Sequence, residues 1–93
     1  MTRDYFDLHV KPSLSNYVFT YSSFLNGDFG DIERVEFFGQ TRLGGIDFWS
    51  RGWVGFHVFD KKLDDEVMNI LLSPDEMDRM EAVFNQLVNL LLS

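Results

Sequence analysis

His9 and His57 are the only imidazoles in this 93-residue chain. Two imidazoles can run general acid–base catalysis, one taking a proton and the other giving one, as a nuclease needs. Such a site also wants a cation to stabilise the phosphorane, and Lys11 or Arg51 would be the candidates. Against this, both histidines alternate with apolar neighbours in stretches that read as strands. The chain also carries 8 Lys+Arg against 15 Asp+Glu, a net charge of −7 that repels a polyanion. The favoured reading is two strand histidines, with no catalytic residue of the chain's own and no enzyme.

Metal binding has two candidate stretches, Asp64-Asp65-Glu66 and the glycine-flanked Asp28 and Asp31. A calcium loop needs oxygens at fixed alternating positions, closed by a bidentate Glu. Asn26-Gly27-Asp28-Phe29-Gly30-Asp31 lacks that register, so these acids read as solvated turn residues and no metal is expected. There is no Gly-x-Ser-x-Gly elbow for a serine nucleophile and no phosphate-cradling glycine pattern. Zero cysteines exclude a thiol nucleophile, a disulfide framework and a thiolate-bound metal. No cofactor is expected.

Residue types suited to binding are more plentiful. Trp49 and Trp53 flank a Ser50-Arg51-Gly52 turn, and Trp and Arg are the residues that dominate interface hot spots. Plain core packing is the competing reading for both indoles. Trp49 shares a strand face with Asp47, opposite Phe48, so one tryptophan leans outward. Residues 60–81 hold eight acids against three bases, among them Asp60, Asp64, Asp65 and Glu66. This is either a solvated charged face or an electrostatic docking surface for a cationic partner.

These residues must be positioned by elements that the pattern also reveals. Ser73-Pro74-Asp75-Glu76 is a helix start, with Ser73 as N-cap, Pro74 in the first turn and Glu76 closing a capping box. Met77, Met80, Phe84, Leu87, Val88 and Leu91 then recur at steps of three and four, which predicts a helix over about 74–91. Everything before it reads as sheet. Phe6, Leu8 and Val10 alternate with Asp7 and His9 as a first strand, and Pro12 turns the chain. Residues 16–22 fit a helix face or a strand, with the strand favoured by Tyr-Val-Phe-Thr-Tyr. Residues 26–31 form a turn, 32–39 a strand, and Leu43-Gly44-Gly45 a loop. Residues 46–50 and 53–60 make a hairpin around the Ser50-Arg51-Gly52 turn. Residues 61–65 are a charged turn and 66–72 a last strand. The predicted fold is α+β: one domain over 1–93, an antiparallel meander of five or six strands within about 4–72, and one C-terminal helix packed on one face.

A helix covers only one face of such a sheet, and the other face is ordinarily polar. Here Val54, Phe56 and Val58 occupy one face of a strand while Trp53, His57 and Phe59 occupy the other. Aromatic residues make up 16% of the chain, too many for one small core, so part of that load should line an interaction surface. The acidic balance argues against nucleic acid and against an anionic membrane surface as partners. No stretch matches a signal peptide or a membrane span, and the chain reads as a soluble, cytoplasmic protein.

Small size, strong acidity, absent cysteine and abundant aromatics together resemble the bacterial immunity proteins of toxin–immunity pairs. Gly44-Gly45-Ile46-Asp47-Phe48-Trp49-Ser50, Trp53-Val54-Gly55-Phe56 and Asn69-Ile70-Leu71-Leu72-Ser73-Pro74-Asp75-Glu76 carry that resemblance over about a third of the chain. It implies a cytoplasmic inhibitor that occludes a cognate protein toxin with a cationic surface, typically a basic nuclease. Asp60, Asp64, Asp65 and Glu66 would then steer and pair charge, and Asp47, Trp49, Arg51 and Trp53 would form the central contact. The alternative is a small structural or regulatory module, homodimeric through the apolar end of the last helix at Leu87, Val88, Leu90, Leu91 and Leu92.

Overall fold

Five strands follow one another in space in the order in which they occur in the chain. In a computed structural model describing residues 3–93, they are β1 (Val18–Gly27), β2 (Gly30–Phe38), β3 (Arg42–Trp49), β4 (Val54–Asp60) and β5 (Asp65–Leu72). Every neighbouring pair is antiparallel, and the sheet is open, with β1 and β5 at its edges. The expected α+β meander is therefore present, with five strands. Met1 and Thr2 of the expected domain lie outside the described residues.

Register explains the core. Val35, Ile46, Phe56 and Ile70 form one cross-strand row. Phe37, Phe48, Val54, Val58, Met68 and Leu72 share that face, and all of them are buried. Against this face pack Met80, Val83, Phe84, Leu87 and Leu91 of the C-terminal helix α2 (Met80–Leu92). The residues just before α2, Pro74–Arg79, wind as 3₁₀ turns with a kink at Glu76, whose φ −108°, ψ 20° are not helical. The capping box read from the sequence is in place: the Ser73 N–H donates to Glu76 Oε1 at 3.1 Å.

Three readings of the sequence are corrected. Phe6-Asp7-Leu8-His9-Val10 is not a strand. Arg3–Tyr5 is an α-helical turn (α1), continued by a π-helical turn over Phe6–Val10 and a 3₁₀ turn over Lys11–Ser13. The true apolar spacing is Phe6, Val10 and Leu14, four residues apart and all buried, whereas Leu8 is 72% exposed. This segment covers the β1 side of the same sheet face, with Phe6 edge-on to Phe19 and Tyr5 against Phe84. Leu43-Gly44-Gly45 is not a loop but lies within β3. A Cβ on Gly44 would sit 2.1 Å from the His57 carbonyl oxygen, so glycine there serves close approach of strands rather than a turn. Trp53 precedes β4, which begins at Val54.

Candidate partner-binding face

Both helical segments pack on one side of the sheet, and no described element covers the other. On that open side β3 presents Leu43, Gly45, Asp47 and Trp49, and β4 with its preceding turn presents Phe59, His57, Gly55 and Trp53. Large residues face glycines across the ladder: His57 opposes Gly45 and Asp47 opposes Gly55. With no side chain in the way, the His57 ring rests on Gly45 and the Trp49 ring on Gly55. A Cβ at those glycines would come within 3.0 Å and 3.2 Å of the respective rings. The centre of the face is therefore shallow and built largely of ring surface and backbone.

Two hairpin turns meet at one end of this face. Asp31 donates its N–H to Ser50 Oγ at 2.9 Å, and the Ser50 and Arg51 N–H groups donate to the Asp31 and Phe29 carbonyls. Gly30 makes the junction feasible: its φ of +99° is left-handed, and a Cβ there would lie 2.1 Å from Ser50 Oγ. The link brings Phe29 against both indoles. It stacks on Trp53 with centroids 4.4 Å apart and meets Trp49 edge-on at 5.6 Å. Trp49 and Trp53 are each half-buried, and Arg51 is exposed at the tip of the turn. The sequence places the tryptophans together but does not point to Phe29, which only the register of two separate hairpins delivers there.

Asp47 lies on the same face, but Arg34 neutralises its charge. Arg34 Nε and Nη2 reach Asp47 Oδ1 and Oδ2 at 2.6 and 3.0 Å, a two-pronged pair. The bond to Asp47 is the first cause of the raised Arg34 pKa, so the guanidinium stays charged. Its far side lies over the Phe24 ring, 4.9 Å from the centroid.

The acidic residues do not join this cluster. The β4–β5 turn that carries them lies at the other end of β4, about 20 Å away at roughly 3.3 Å per residue. Asp64, Asp65 and Glu66 are exposed there, with Asp64 in a left-handed turn conformation at φ 52°. Asp60 is corrected as a docking residue: it is only 3% exposed. Its carboxylate accepts the N–H groups of Lys62 and Leu63 and a bond from Arg42 Nε at 3.0 Å. The Leu63 N–H, foremost, holds its pKa below the usual carboxylate range. Arg42 extends the network to the end of α2, where Nη1 donates to the Leu90 carbonyl and to the Ser93 carbonyl and hydroxyl. Asp60 is thus a structural anchor of the chain's end.

The remaining candidates separate in space. His57 projects from the open face, whereas His9 belongs to the helical segment packed on the opposite side, where its ring meets Tyr5. The sheet lies between them, so they do not converge on one substrate atom. Among the described residues no three His, Asp or Glu side chains are grouped to hold a metal ion. The end of α2 is not an apolar seam: Leu87 and Leu91 are in the core, Val88 and Leu90 pack against it, and Leu92 is the one of the five that is well exposed. No described helix is long and apolar enough to cross a membrane. Comparison with known protein families, curated proteins and solved structures finds no match.

Proposed function

We propose that this chain is a non-catalytic inhibitory binding protein, an immunity protein that neutralises a cognate toxin with a cationic surface by occluding its active site. The observation that supports this reading is the uncovered sheet face, with its pinned Phe29–Trp49–Trp53 cluster and exposed Arg51. Aromatic rings held rigidly by the fold lose little conformational freedom on binding, which suits them as central anchors. The acidic β4–β5 turn, with a chain net charge of −7, supplies a long-range field that speeds encounter with a basic partner. In this division of labour Trp49, Trp53 and Arg51 make the contact, Asp64, Asp65 and Glu66 steer, and Asp47 holds Arg34 in place beside the cluster.

The test is genetic and physical together. The reading frame encoded beside this one is expressed from an inducible promoter, with and without this chain. Toxicity relieved by the wild-type chain, a stable copurifying complex, and loss of both in Trp53→Ala would support the reading. Absence of toxicity and of any complex would remove it.

A further inference from the structure

We infer that β1 is a homodimer seam, through which two copies join edge to edge into one continuous ten-stranded antiparallel sheet. β1 ends the sheet order, so its outer edge has no neighbouring strand among the described residues. It is ten residues long and contains no Asp, Glu, Lys, Arg or Pro. Natural edge strands are ordinarily blunted by a charge, a proline or shortness, because an unpaired row of N–H and C=O groups templates another strand. The opposite edge is treated in that way: β5 begins with Asp65-Glu66 and is bulged, since Val58 pairs with Met68 but Phe59 with Glu66. From Val18 to Phe24 the edge β1 has neither device; its own register shift lies beyond that stretch, between Phe24 and Gly27.

The occupant is a second copy because β1 complements itself in one register. Val18, Thr20, Ser22 and Phe24 lie on the open face, since their β2 partners are Phe38, Glu36, Arg34 and Ile32. A two-fold axis perpendicular to the sheet at Tyr21 sets Val18 opposite Phe24 of the second copy, and Thr20 opposite Ser22. On the other face it sets Phe19 opposite Ser23. Val18 and Phe24 are 67% and 44% exposed, and this register makes each the other's apolar partner. On the open face, moving the axis by one residue sets Val18 against Ser22 (axis at Thr20) or Phe24 against Thr20 (axis at Ser22). β1 also adds no like-charge contact of its own between two copies of net charge −7, since it carries no charged residue. Assembly in this way leaves both open faces on the same side of the sheet. The inference is independent of what those faces bind.

The test is molar mass by light scattering and sedimentation over a concentration series. The wild-type chain is expected to approach twice 10.9 kDa. Thr20→Glu/Ser22→Glu and Thr20→Lys/Ser22→Lys each place like charges opposite each other across the seam, and each should remain monomeric. Mixing the two should restore the dimer, because each carboxylate then faces an ammonium. A wild-type chain that is a monomer at every concentration overturns the inference without recourse to any variant. So does dimerisation that persists in both variants, which would place the interface elsewhere. Monomeric variants that fail to pair on mixing overturn the register.

Discussion

Phe29 lies nearly parallel to Trp53, with 4.4 Å between centroids and 13° between planes, although the two belong to different hairpins. The contact depends on the Ser50 bridge to Asp31 and on the left-handed Gly30. A stacked pair contributes about 0.5–1.5 kcal/mol beyond its buried area. Phe29→Ala should therefore lower stability by about that amount or more in urea titration. It should also red-shift tryptophan emission, as Trp53 loses its cover. In the complex, Trp53→Ala should weaken partner binding at least roughly 30-fold, about 2 kcal/mol, by calorimetry. An affinity unchanged by that substitution would move the contact away from this cluster.

Adjacent glycines in β3 should respond very differently to alanine. At Gly44 the new methyl meets the His57 carbonyl oxygen at 2.1 Å, which only a shift of β4 can relieve. At Gly45 the nearest atoms are His57 Cε1 at 3.0 Å, on a side chain that can turn away into solvent, and the Val35 carbonyl oxygen at 3.1 Å, which need give by only a few tenths of an ångström. Gly44→Ala should cost about 1–3 kcal/mol or more. Gly45→Ala should cost distinctly less, and thermal melting of the two variants side by side reads the difference.

Asp60, held by Arg42 and the Leu63 N–H, makes the fold sensitive to acid. Asp60 has its pKa lowered in the folded chain, through the Leu63 N–H first and then Arg42. A depressed carboxylate contributes stability above its unfolded value of about 3.9, and that stability is lost as pH falls through the folded value. Unfolding followed from neutral to acidic pH should show this loss. Asp60→Asn should flatten it. Arg42→Ala should be the most damaging change here, because it strands a buried carboxylate and also releases the Leu90 and Ser93 contacts at the end of α2.

Reversal of the exposed turn acids separates steering from anchoring. Asp65→Lys and Glu66→Lys alter solvent-facing side chains and should change folding stability by no more than about 0.5 kcal/mol. Stopped-flow association with the partner should slow, and its dependence on salt should weaken. An on-rate and salt slope unaffected by both reversals would sink the steering role.

Local signals in the sequence were legible, and non-local ones were not. The capping box at Ser73 and Glu76 and the stripe from Met80 to Leu91 are written within a few residues, and both are realised. Aromatics on both sides of β4 correctly marked an uncovered sheet face. In the N-terminal segment Phe6, Leu8 and Val10 alternate as a strand would, while the operative spacing runs from Phe6 through Val10 to Leu14. Asp60 looked like one more surface acid, because its burial depends on Arg42, which the strand register brings to it from across the β3–β4 ladder. Gly44 looked like a loop residue for the same reason: the atom that requires a glycine belongs to a neighbouring strand.

The strictly sequential strand order has a kinetic consequence. Each of the four ladders closes only a short turn between consecutive strands, so the sheet can zip hairpin by hairpin at small loop-closure cost. The distant closures are different in kind: Tyr17 Oη to the Leu91 carbonyl, and Arg42 to the carbonyls of Leu90 and Ser93. They tie the start of the sheet to the last turn of the chain and form only after everything between them is in place. Substitutions at this latch should accordingly hasten unfolding while leaving the rate of folding nearly unchanged.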